Sequence, residues 1–158
     1  MILNYNKKTT LTQSGFLILK IKMKPIELPF EIGREYENWE FDLEVLDVER
    51  MKGYDSYIYI REIVFLGAIP RYVELIFLID LLQIVIFNYK LQKSDLRKII
   101  ETLDEKLMLK NRLDKIVIYS IDVNLELWVI NKESNSIVVI YGIPCLLSQL
   151  YIDKTKNN

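Results

Sequence analysis

The sequence predicts an α+β fold: a mostly antiparallel β-meander of six or seven strands, with one long amphipathic helix (about 94–109) packed on one face. Three observations carry this. Residues 39–49, WEFDLEVLDVE, alternate apolar and acidic side chains with the period of a half-buried strand. Segments rich in β-branched and aromatic residues then recur, separated by turn residues. Finally, Leu96, Ile99, Ile100, Leu103 and Leu107 fall on a single helical stripe.

In chain order, Pro25 and Pro29 bracket an extended lead-in, and the alternating strand follows from Trp39. Gly53 breaks the chain, and residues 54–64, YDSYIYIREIV, form its hairpin partner. Residues 67–70 turn again, and 72–79 and 81–88 are two further strands with Asp80 at the bend. The helix follows, with Ser94 as N-cap and Asp95 in its first turn. Residues 116–121, 125–131 and 136–141 return to strand, and Pro144 stops the last one. Residues 73–88 can be laid beside 115–131 with one inserted residue. Both copies bend at an Asp, as a duplicated strand-turn-strand unit or any two buried hairpins would.

The chain has 158 residues, 51% hydrophobic and 27% charged, which makes one domain able to bury roughly 70% of its unfolded surface. Residues 1–22 are a flexible leader or a start-site extension, 23–152 the domain, and 153–158 a disordered tail. With no histidine and one cysteine, Cys145, the chain lacks a disulfide, a histidine base and the usual zinc or copper ligands. No G-x-G-x-x-G or P-loop occurs, so no cofactor is expected. Cys145, beside Leu146 and Leu147, reads as a packed small hydrophobe. The apolar stretch of the leader is interrupted by Lys20, and 75–87 is too short to cross a bilayer of about 30 Å. No membrane role is expected, and the cytoplasm is the default compartment.

Charge falls in blocks. The first 24 residues carry five lysines and no acid, whereas residues 25–55 carry ten acids against Arg34, Arg50 and Lys52. Basic residues cluster only in the leader, so nucleic acid is not an expected partner. In a strand, Glu40, Asp42 and Glu44 would lie on one side about 6 to 7 Å apart. With Glu31, Glu35, Glu37, Asp47 and Glu49 they make the densest negative patch in the chain, either a solvated sheet face or a docking surface for a basic protein, to which Tyr54 and Tyr57 would add contact area. Carboxylates fanned along a strand do not converge readily on a metal. Asp122 and Glu126 with Asp80 could instead serve a carboxylate-dependent nuclease. Trp128, however, stands where a catalytic lysine would be expected, and Asp122 and Asn124 are good turn formers. Asp80 is either a matching bend or a buried carboxylate marking a site.

The helix segment SDLRKIIETLDEKL, leading into IVIYSIDVNLELWVINKESNSIVVIYG, resembles a pattern in small bacterial immunity proteins of contact-dependent inhibition and other polymorphic toxin systems. The resemblance covers about a third of the chain and rests on patterning. It implies a cytoplasmic, non-catalytic binder that occludes the active site of a cognate toxin, often a nuclease. Contact residues in that family vary from pair to pair, so none carries over. The expected function is therefore a protein-binding module, an immunity protein acting through Glu37, Glu40, Asp42, Glu44, Tyr54 and Tyr57. The alternatives are a small nuclease of viral or plasmid origin using Asp80, Asp122 and Glu126, or a structural subunit of an assembly.

Overall fold

The computed structural model describes residues 26–132 and 135–156, so the leader expected at 1–22 lies outside the described residues. Eight antiparallel strands form one sheet: β1 (Leu43–Val45), β2 (Asp55–Tyr59), β3 (Tyr72–Leu78), β4 (Leu81–Lys90), β5 (Met108–Arg112), β6 (Ile116–Ser120), β7 (Glu126–Lys132) and β8 (Ser136–Gly142). Their order is β1-β2-β3-β4-β8-β7-β6-β5. Helix α1 (Lys93–Lys106) carries the chain from β4 to the far edge, and α2 (Pro144–Lys156) follows β8. Two four-stranded meanders therefore meet at β4 and β8.

The α+β class and the antiparallel sheet are as the patterning predicts, but the described residues form eight strands and the helix is shorter. Its N-cap is Gln92 rather than Ser94, with no side-chain cap bond, and it ends at Lys106. Leu107 turns extended while its amide still donates to the Leu103 carbonyl at 2.8 Å. Residues 108–112 then pair with β6, and that ladder outweighs their helical spacing. Pro144 does follow the end of β8. It also opens α2, where a missing N–H costs nothing. The segment from Asp153 expected as a tail continues that helix to Lys156.

Both faces of the sheet are covered, which explains why the central strands read as continuous apolar runs. One face packs Leu75, Phe77, Val85, Phe87, Val139 and Tyr141 under Ile99, Leu103 and Leu107 and the 26–42 segment. The other packs Ile76, Ile84, Ile86, Val138 and Ile140 under Leu147 and Leu150 of α2 and Met51 of the β1–β2 loop. A bulge in β4 leaves Gln83 unpaired and drives its carbonyl toward β8. There Gly142 is required, because a Cβ would stand 2.5 Å from that oxygen.

The laid-out hairpins are β3–β4 and β6–β7, yet their bends differ. Ile79 and Asp80 form a two-residue turn with φ of +48° and +62°. Asp122 heads a longer turn in which its carboxylate accepts the Asn124 and Leu125 amides at 2.7 and 3.0 Å. No helix among the described residues is long and apolar enough to cross a membrane.

Candidate docking surface

The carboxylates expected as one stripe do not form one. Tyr36–Asn38 and Glu40–Asp42 are 3₁₀ turns, and only Leu43–Val45 of the expected strand is β. Glu37 and Glu40 are exposed in those turns, and Glu44 stands opposite Ile58 in β1. Asp42, half-buried, accepts from Arg61 Nε at 2.7 Å. The cause is the route of the chain. Glu35 bridges to Leu81 at one end of β4, while Leu43 must reach Tyr59 at the far end of β2. Between them the backbone crosses an apolar face with no strand beside it, and helical turns satisfy its N–H and C=O groups locally. Trp39 reaches the core against Phe30 and Phe77, whereas Phe41 is turned out and 86% exposed.

A different acidic group assembles where β2 begins and the β3–β4 hairpin turns. The register sets Asp55 opposite Phe77, one strand from the Ile79–Asp80 turn. The rings of Tyr36 and Tyr57 lie 5.0 Å apart, and Phe77 meets Tyr57 edge-on at 5.6 Å. The Tyr57 phenol is pushed above its ordinary pKa, first by burial and then by the charges of Asp55 and Asp80 and by Tyr36, so both carboxylates bear on that ring. Tyr36 N donates to the Asp80 carbonyl at 2.7 Å, and the bridge to Leu81 holds Glu35 alongside.

Next to this group, a cleft of about 360 Å³ opens between the β1–β2 loop and β2, lined by Asp47, Glu49, Tyr54, Asp55 and Tyr57. Tyr54, half-buried, also packs on the second core cluster, and the Glu49 carboxylate accepts from the Gly53 amide at 2.7 Å. Exposed carboxylates beside tyrosine faces suit a lysine or arginine side chain, through Coulomb attraction and the ring quadrupole. The antiparallel registers put Arg71, Lys90 and Lys132 at the opposite end of the sheet, and Arg34 beside the acidic group is paired with Glu31 at 2.7 Å. Of the residues singled out in the sequence, the structure gathers Tyr54, Tyr57, Asp80 and, from the acidic patch, Glu35, Asp47 and Glu49 here; Asp55 joins them through strand register.

The three carboxylates of the nuclease reading stay apart. The Asp80 and Asp122 turns lie three strand spacings apart across the sheet, about 14 Å. Glu126 is buried on the face of α2, where it accepts from Lys110 Nζ and, at 2.8 Å, from Trp128 Nε1. Asp80 is exposed at a bend and not a buried carboxylate. Among the described residues, no group of three His, Cys, Asp or Glu side chains is placed to hold a metal. Cys145, expected to be packed, is exposed because Leu147 and Leu150 take the inner side of α2. Comparison with protein-family models, curated proteins and solved structures finds no match.

Proposed function

We propose that this chain is a non-catalytic protein-binding module, an immunity protein that neutralises a cognate toxin such as a nuclease in the cytoplasm. The observation that supports it is the acidic end of the sheet. There Glu35, Asp55 and Asp80 surround half-buried tyrosines beside the exposed Val48, Ile79 and Leu81. Anions interleaved with exposed apolar side chains suit a basic protein surface, because the charges steer encounter and the apolar area supplies affinity. The partner meets Tyr57 and the Asp55–Asp80 pair, with Tyr54 at its rim. Glu37, Glu40 and Glu44 extend the negative field without forming a row.

The test is co-expression with the product of the neighbouring reading frame. Growth is restored by the natural chain and lost with the triple variant Glu35→Lys, Asp55→Lys, Asp80→Lys, whose far-UV spectrum is unchanged. Association of the purified pair slows most at low salt. Full protection by the triple variant rejects the acidic end as the docking surface, and a neighbour that harms nothing rejects the immunity reading.

A further inference from the structure

The β3–β4 turn is built from residues that fit it poorly. Ile79 and Asp80 both have positive φ, +48° and +62°, where a two-residue hairpin favours Asn-Gly or Gly-Gly. For β-branched Ile79 the left-handed region is sterically unfavourable. The fold gains nothing in return, since the Ile79 side chain is 84% exposed and belongs to neither core cluster.

The turn is nevertheless held firmly from the side. Gly33 N donates to the Leu82 carbonyl at 2.7 Å, Leu82 N to the Arg34 carbonyl at 2.9 Å, and Tyr36 N to the Asp80 carbonyl. A rigid hairpin tip thus presents an apolar knob, with Leu81 40% exposed behind it and Glu35, Asp55 and Asp80 nearby. Strain retained where it brings no packing is a mark of function. Its complement is an apolar pocket rimmed by cations, the arrangement in which one buried anchor dominates affinity and the surrounding charges exclude water and set register.

We propose that Ile79 is the apolar anchor of the docking surface, seated in an apolar pocket rimmed by lysine or arginine side chains on a basic protein partner. This rests on the docking reading above and deepens it. The test uses the full chain in its native cells with photoreactive benzoylphenylalanine in place of the exposed Val48 of the docking surface, which leaves Ile79 intact, or, at the opposite end of the sheet, at position 113. The captured protein is then purified and titrated against Ile79→Asn.

Crosslinks form from position 48 and not from 113. Ile79→Asn speeds dissociation at least about tenfold, while its Tm is unchanged or rises by about 2 to 4 °C as the strain is relieved. A gain in thermal stability with a loss of binding cannot come from misfolding. An unchanged dissociation rate, or a lower Tm, overturns the anchor; if Asp55→Lys with Asp80→Lys still slows association, the acidic docking reading survives it. Crosslinks from 113 alone move the interface to the other end of the sheet. No crosslink from either position overturns both.

Discussion

The Tyr141 hydroxyl grips the backbone of Phe30, 111 residues away in sequence. It donates to the Phe30 carbonyl at 2.8 Å and accepts from the Phe30 amide at 3.1 Å. One phenol on a central strand thus satisfies both polar groups of a buried residue in the segment that crosses the sheet. Phe30 in turn lies edge-on to Tyr59 at 4.9 Å and to Trp39 at 5.7 Å, which carries the contact from β8 to the 3₁₀ turns.

Tyr141→Phe keeps the ring and strands both groups, so a loss of about 2 to 4 kcal/mol is expected, read from the urea midpoint. The Phe30 amide should lose its hydrogen-exchange protection in the same variant. A loss confined to a few tenths of a kcal/mol, with Phe30 still protected, would mean that water replaces the phenol.

Arg50 donates to both carboxylate oxygens of Glu74, at 3.0 and 3.2 Å, and Glu74 is only 1% exposed. Arg50→Ala leaves a buried carboxylate without its cation and should cost about 3 to 5 kcal/mol. Replacing the pair with Arg50→Met and Glu74→Leu should recover most of that, because two desolvated charges are removed together. A double variant as unstable as the single one would show that the ion pair, rather than packing, holds the β1–β2 loop on its face.

Stability should fall on the alkaline side. Tyr89, Tyr119 and Tyr141 are all held above the ordinary phenol value of 10.0, each chiefly by burial, and Tyr119 also by the Asp104 carboxylate to which it donates at 2.8 Å. Folded values above the unfolded one mean that the contribution is complete below pH 10 and is lost as pH rises from there, when only the unfolded chain ionises. Tyrosinate absorbance of these three should therefore appear together with loss of far-UV ellipticity. Ionisation near pH 10 in a chain that keeps its native spectrum contradicts the burial of these phenols.

Much of the sheet is legible in the sequence because it depends on neighbours along the chain. The runs 72–78, 81–90 and 136–142 are mostly apolar, Asp80 and Asp122 mark the bends of the β3–β4 and β6–β7 hairpins, and Leu96, Ile99 and Leu103 set the helix. Strand β5 is less legible: all five of its residues are exposed, and it continues the helical spacing before it. Helix α2 did carry a signal in the spacing of Leu146, Leu147, Leu150 and Tyr151. The segment from Trp39 misleads most, since its alternation is real but no strand lies beside it along the route it must take.

The amino-acid order alone determined the α+β class, most strands, the first helix and the concentration of acids in residues 25–55, because patterning and turn chemistry act over a few residues. Only the tertiary structure decided which acids stand together. That depends on the β2–β3 register, which sets Asp55 opposite Phe77, and on the path of the 33–36 segment alongside β4, contacts between residues far apart in the chain that no local period encodes.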